Sequence, residues 1–229
     1  MKAVLHSWRD VAPGVRHFDF EVPGAQSFPF TPGQFVSVHF DIDGNTITRA
    51  YSIASAPQAN RFALCLNRVE GGRVSPLLFA LRIGGAIEIS APLGFFVMKP
   101  QPNDSLLIAT GTGVAPMRAM LPSALDHYPD KQFTLLFGTR TPDSLLYADE
   151  FAALERAHPN FHFWPTLSGA GAQWTGRRGH VQQHLDEALG ARRDMDIYIC
   201  GLRAMVDDVR ARLKTLGFDR KQIISERYD

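Results

Sequence analysis

Arg49, Tyr51 and Ser52 stand in the run T-R-A-Y-S-I-A-S-A-P. These side chains suit a phosphorylated aromatic ligand. An arginine fork matches a phosphate, and a tyrosine offers an aromatic ring system a flat apolar face with a polar tip. On a regular strand Arg49 and Tyr51 share a face and Ser52 points the other way. The competing reading is a solvated arginine beside a half-buried tyrosine, and strand composition alone does not choose between them.

Three glycine turns add to the row. Gly71-Gly72-Arg73-Val74-Ser75 opens a helical stretch running to about Leu81. Gly111-Thr112-Gly113-Val114-Ala115-Pro116 follows an apolar strand and opens a second helix, with Pro116 where no N–H is needed. Such turns bring backbone N–H groups and the positive end of a helix to a phosphate. The second turn is not a full G-x-G-x-x-G, and alone it is equally a tight turn that glycine permits. Cys200-Gly201 forms a third junction at a strand end, where ligands of parallel sheets collect. A lone cysteine is otherwise a small buried apolar residue.

The elements that must carry these residues fall into two rhythms. Up to about residue 100, short alternating runs (V-R-H-F-D-F-E-V, G-Q-F-V-S-V-H-F, R-F-A-L-C-L-N-R-V, A-I-E-I-S-A) are separated by Pro-Gly, Asp-Gly and Gly-Gly turns. Period-two patterning with such turns predicts an antiparallel barrel. Lys99-Pro-Gln-Pro-Asn-Asp104 is a polar, proline-rich bridge. Beyond it, apolar runs (S-L-L-I-A-T, Q-F-T-L-L-F-G, F-H-F-W-P-T-L-S, D-I-Y-I-C-G) alternate with helical patterns, one of them around Asp149–His158. Repeated β-α units predict a parallel sheet with helices on both faces. The expected domains are therefore 1–100 and 101–229.

The 229 residues carry a formal net charge of +1, so bulk charge gives no reason to expect nucleic-acid binding. Two cysteines are too few for a disulfide framework or a four-thiolate iron–sulfur or zinc site in this chain. No signal-peptide core and no membrane-length apolar run occur, so a cytoplasmic protein without a membrane partner is expected. His180 and His184 are four apart, but further ligands are missing nearby, and no metal is expected.

In order along the chain, R-A-Y-S (49–52), G-G-R-V-S (71–75), P-L-G-F-F (92–96), G-T-G-V-A-P (111–116), F-G-T-R-T (137–141), T-L-S (166–168), W-T-G-R-R-G (174–179), C-G (200–201) and Glu226 resemble the motifs of the ferredoxin–NADP reductase superfamily, over about residues 5–229. The resemblance implies an N-terminal Greek-key β-barrel that binds flavin and a C-terminal α/β domain that binds NAD(P). It implies FAD, with FMN as the alternative, and NADPH or NADH as substrate. Arg49, Ala50, Tyr51 and Ser52 would then hold the flavin, Arg49 at its phosphate, Tyr51 on its ring and Ser52 at its N5 edge. Gly72, Val74 and Ser75 would cradle the pyrophosphate. Gly111, Thr112 and Gly113 would hold the nicotinamide dinucleotide, with Cys200 beside the nicotinamide and Glu226 near the reacting edge. Ser52, Cys200 and Glu226 form the expected catalytic set, and Tyr228 is the expected cover of the second flavin face.

Coenzyme choice is expected near the end of the third parallel strand. Family members specific for NADP often carry arginine after T-L-S, where this chain has Ser168 followed by Gly169. Arg140, Arg177 and Arg178 are the substitutes at hand, and they point to NADPH. The acceptor implied is a separate electron carrier, a ferredoxin or flavodoxin. Two other readings are a flavin reductase or electron-supply component of an oxygenase, and a non-catalytic electron-transfer subunit.

Overall fold

A computed structural model describes residues 1–228. The chain divides into two compact units. The first holds Met1–Val97 together with Ala115–Met120, and the second holds Met98–Val114 and Leu121 onward.

The first unit is built on strands β1 (Lys2–Ala12), β2 (Val15–Glu21), β3 (Phe35–Ile42), β4 (Asn45–Ser52), β5 (Arg61–Asn67) and β6 (Ala86–Ile89), with helix α1 (Ser75–Ala80) before β6. Their order is β4-β3-β6-β1-β2-β5, and every neighbouring pair is antiparallel. β6 inserts between β3 and β1, which is the Greek-key crossover. A bridge between Ile53, just past β4, and Leu64 of β5 joins the two edge strands and closes the barrel. The alternation read from the sequence fills the interior. Phe18, Phe20, Leu64, Val36 and Val38 are fully buried, and Phe20 stacks on Phe62 with centroids 5.6 Å apart. A buried aromatic pair of this kind contributes about 0.5–1.5 kcal/mol beyond its area.

The second unit runs through β7 (Ser105–Thr110), α2 (Ala115–His127, whose first six residues group with the first unit), β8 (Phe133–Thr139), α3 (Ala148–Ala157), β9 (Phe161–Leu167), β10 (Arg177–Arg178), α4 (Leu185–Leu189), β11 (Asp196–Leu202), α5 (Arg203–Thr215) and β12 (Ile223–Tyr228). The sheet order is β10-β9-β8-β7-β11-β12, all parallel. The central strands are buried almost throughout, as expected for strands covered on both faces.

The proline-rich bridge lies whole in the second unit, although its composition reads as a break. The carboxylate of Asp196, fully buried at the start of β11, accepts from Lys99 Nζ at 2.5 Å and from the Asn103 amide at 2.9 Å. The Tyr198 hydroxyl accepts from the Lys99 amide at 3.0 Å, and the Tyr128 hydroxyl donates to the Pro100 carbonyl at 2.8 Å. Arg192 pairs with Asp104 at 2.6 Å. Polar character here is partnered rather than solvated, a distinction that composition cannot draw.

Candidate functional site

In the first unit, β4 pairs with β3 in a register that sets Arg49 opposite Val38, Tyr51 opposite Val36 and Ser52 opposite Phe35. Arg49 and Ala50 are exposed, Tyr51 is half-buried against the barrel core, and Ser52 is buried. The Arg49 guanidinium donates to the carbonyl of the neighbouring Thr48 at 2.8 Å. Burial pushes the Tyr51 phenol up to about 12, with the Arg49 charge pulling the other way. It therefore keeps its proton at neutral pH and presents a neutral ring.

The Gly71–Ser75 turn leads into the one helix of the first unit that precedes β6. Helix α1 has only six residues, with Pro76 in its first turn. So short a helix sums few peptide dipoles. The Ser75 hydroxyl accepts from the Val69 amide at 2.9 Å, and the Gly72 amide donates to the Val69 carbonyl at 3.0 Å. The turn is self-bonded, with Val74 and Ser75 buried and Gly72 half-buried.

In the second unit the glycine turn and the cysteine junction come together. β7 ends at Thr110, a 3-10 turn covers Gly111–Val114, and α2 starts only at Ala115. The glycines thus precede the α-helix by one turn. Gly113 packs so tightly on the backbone of Cys200 and Gly201 that a β-carbon there would overlap it. Gly201 has φ +149°, a conformation side chains rarely adopt. Thr110 was missed in the sequence. Its Oγ1 is buried and is the one buried side-chain polar atom without a hydrogen-bond partner among the described residues. Its only signal there is a polar residue closing the apolar run S-L-L-I-A-T. Such an atom in a native fold calls for an explanation, and an unfilled ligand contact is one.

The parallel register of β11 and β12 sets Cys200 opposite Glu226 and Leu202 opposite Tyr228. Burial pushes the Cys200 thiol well up, the Glu226 carboxylate adds to this, and a hydrogen bond with Tyr228 partly opposes it. Cys200, Glu226 and Tyr228 are therefore one cluster, and Tyr228 is the last residue of a paired strand. Ser52, the remaining residue of the expected catalytic set, belongs to the first unit.

The third expected cluster lies at the ends of β8 and β9. The Ser168 amide donates to the Thr139 carbonyl at 3.0 Å and the Gly169 amide to the Arg140 carbonyl at 2.8 Å. Ser168 and Arg140 are exposed. Arg177 is already committed: its guanidinium lies 3.7 Å from the Trp164 ring centroid and pairs with Glu187 at 2.8 Å. That hydrogen bond holds the Glu187 carboxyl below its usual range. Arg178 is committed as well, to loop carbonyls described below. The Arg140 guanidinium makes no hydrogen bond or ion pair among the described residues. His180 precedes a 3-10 turn that His184 ends, and no group of three or more His, Cys, Asp or Glu side chains among the described residues is placed to hold a metal ion.

An antiparallel barrel carrying the R-A-Y-S row, joined to a parallel sheet with a glycine cradle, defines a flavin- and nicotinamide-dependent oxidoreductase. Residues 2–98 match the oxidoreductase FAD-binding domain and residues 107–211 the oxidoreductase NAD-binding domain. Over its whole length the chain is 40% identical to ferredoxin–NADP reductase B of Sorangium cellulosum, covering 97% of that protein. It is 30% identical over 99% of its length to the reductase component of phenol 2-monooxygenase from a Pseudomonas species, of which it covers 65%. The crystal structure of a cytochrome P450 reductase from Amycolatopsis superposes with a TM-score of 0.90 at 26% identity, over 99% of this chain and 69% of that one. The chain belongs to the ferredoxin–NADP reductase family. No helix among the described residues is long and apolar enough to cross a membrane.

Proposed function

We propose that this protein oxidises NADPH through bound FAD and passes the electrons to a separate ferredoxin- or flavodoxin-type carrier. One observation carries the reading: the unpartnered Thr110 hydroxyl lies beside the glycine floor of Gly113 and Gly201, in a chain whose other unit bears the R-A-Y-S row. A buried hydroxyl against a close-packed backbone floor fits a planar amide-bearing ring such as nicotinamide. The exposed Arg49 and the neutral Tyr51 fit a phosphorylated flavin.

When bound, FAD accepts a hydride and gives up its electrons one at a time; that chemistry is the cofactor's own. This chain supplies binding, orientation and control of protons. Arg49 holds phosphate as a bidentate donor, and Tyr51 supplies a flat apolar wall. Ala50 is an exposed small residue between them, and Ser52 places a hydroxyl at the strand end. Gly72, Val74 and Ser75 form the pyrophosphate turn. Gly111, Thr112 and Gly113 admit the coenzyme backbone closely, and Thr110 pairs with its amide. The thiol of Cys200 keeps its proton, so an uncharged group meets the nicotinamide. Glu226 holds negative charge one strand away, and Tyr228 screens the cluster.

Arg140, the unengaged guanidinium at the strand ends, supports NADPH over NADH, with Ser168 as its neighbour. The electron-supply reading keeps support from the phenol monooxygenase relative. The deciding experiment is the absorption spectrum and extracted cofactor of the purified protein, followed by anaerobic titration with NADPH and NADH. A protein that stays colourless after reconstitution with FAD or FMN sinks the proposal. Reduction of free flavin outpacing that of ferredoxin and flavodoxin would shift it to the electron-supply reading.

A further inference from the structure

Between β9 and β10 the chain makes a loop over residues 168–176, and its first part, Ser168-Gly169-Ala170-Gly171-Ala172, consists of small residues. Such a segment has many accessible conformations and loses much entropy on ordering. It nevertheless leaves the C-terminal end of a parallel strand, where coenzymes bind. Something must order it.

Beside one backbone bond, from the Trp174 amide to the Gly171 carbonyl at 3.1 Å, a single guanidinium does. Arg178 Nη1 donates to the Ala170 carbonyl at 3.1 Å, and Nη2 donates to the Gly171 carbonyl at 3.0 Å and the Trp174 carbonyl at 2.6 Å. The Trp174 indole N–H closes the other side onto the Arg177 carbonyl at 2.8 Å. The stem below is fixed independently. Arg178 pairs with Leu167 in the parallel register, the Gly179 amide donates to the Leu167 carbonyl, and the Thr166 hydroxyl donates to the Gly179 carbonyl at 2.8 Å. At the loop's near end, Gly169 bonds Arg140. The clamp therefore acts, through backbone carbonyls, on the segment that borders Ser168 and Arg140.

We infer that Arg178 is a positioning residue for the coenzyme: it pre-forms the 168–174 loop as one wall of the adenosine pocket. This rests on the coenzyme reading given above. It separates Arg178 from a direct phosphate contact, because a phosphate contact helps NADPH alone, whereas a shaped wall serves the adenosine that NADPH and NADH share. It also separates geometry from charge. Lysine keeps the charge but lacks the planar fork that collects three carbonyls.

The test is calorimetric binding of NADP+ and NAD+ to the FAD-loaded protein, with steady-state kinetics and hydrogen exchange of the loop amides. Arg178→Gln and Arg178→Lys are expected to weaken both nucleotides about tenfold, the scale of an ordering cost moved into binding. KM should rise in parallel, kcat should stay within about twofold, and the 169–174 amides should exchange faster. Trp174→Phe should shift the same quantities in the same direction, by less. Arg178 lies exposed on a two-residue edge strand, so its replacement leaves the core intact. A loss confined to NADP+, or full rescue by lysine, would make Arg178 a phosphate ligand and overturn the inference. Faster loop exchange with unchanged affinity for both nucleotides would also overturn it. Arg140→Gln is the separate control for the coenzyme reading: if it leaves NADP+ affinity unchanged, the Arg140 assignment falls, while Arg178 is still judged on NAD+.

Discussion

The hydroxyl oxygen of Thr110 lies directly against Gly201, in a space that a β-carbon on the glycine would occupy. A buried polar atom stands there without a partner in the chain, where valine would have filled the same shape. An unsatisfied buried group costs about 1–3 kcal/mol. Thr110→Val keeps the shape and removes the cost. The coenzyme-free protein should gain roughly 1 kcal/mol, a rise of about 2–4 °C in Tm at this size. Coenzyme KM should rise about tenfold, the loss of one buried hydrogen bond. A variant that gains stability and keeps its KM would show that the hydroxyl serves no ligand.

Gly201→Ala tests the floor of the same cradle. The substitution meets the Thr110 hydroxyl and the Met205 side chain, and it also forces alanine to φ +149°. Strain at such backbone angles costs on the order of 1–3 kcal/mol before any clash is counted. Urea unfolding should show a loss of at least that size, together with loss of coenzyme binding. A midpoint within error of the wild type would mean that the junction relaxes freely.

The alternation of V-R-H-F-D-F-E-V and the apolar run S-L-L-I-A-T were enough to read the barrel and the parallel sheet, because burial on one face or both imposes its period directly on the residues. The Cys200–Glu226–Tyr228 cluster was legible only as separate motifs. Its unity comes from the register of β11 and β12, which no local pattern encodes. Thr110 was invisible for a related reason: a threonine ending a strand looks the same whether or not its hydroxyl finds a partner. Arg177 and Arg178 looked equivalent to Arg140, since a sequence shows which residues carry charge and not which charges are already engaged.

Lys99 and Asp196 should respond unequally to loss of the partner. Asp196 is fully buried, whereas the Lys99 side chain is 32% exposed and can turn to water. Lys99→Met strands a buried carboxylate with the Asn103 amide and should cost about 3–5 kcal/mol. Asp196→Asn removes the charge and should cost less. The double variant Lys99→Met/Asp196→Leu should recover much of the single-variant loss. Denaturant midpoints for the three decide it, and equal losses for the two single variants would contradict the burial argument.

Tyr51 and Tyr198 give the protein an alkaline limit. Burial comes first among the causes that raise both phenols to about 12 from an ordinary 10.0. The folded state therefore holds these protons after the unfolded chain has released its own. Stability is intact below about pH 10 and falls as pH rises toward 12, the sign required when the folded state binds more protons. Tyrosinate absorbance should show a late phase near pH 12, and Tyr51→Phe should reduce its amplitude. Complete titration of all tyrosines near pH 10 in the native protein would refute the assignment.

Cys200 should be chemically silent despite its place beside the cradle. The thiolate is the reactive form of cysteine, and burial together with the Glu226 carboxylate holds the Cys200 thiol in its neutral form well past the ordinary range. Iodoacetamide labelling of the native protein, read by peptide mass spectrometry, should leave Cys200 unmodified from pH 7 to 9. In urea the same residue should label with a midpoint near the ordinary thiol value of about 8.5. Glu226→Gln removes one of the two causes and leaves burial, so labelling should begin at a lower pH than in the wild type while remaining above the unfolded midpoint. Native labelling of Cys200 with a midpoint near 8.5 would show that neither burial nor the Glu226 charge controls the thiol.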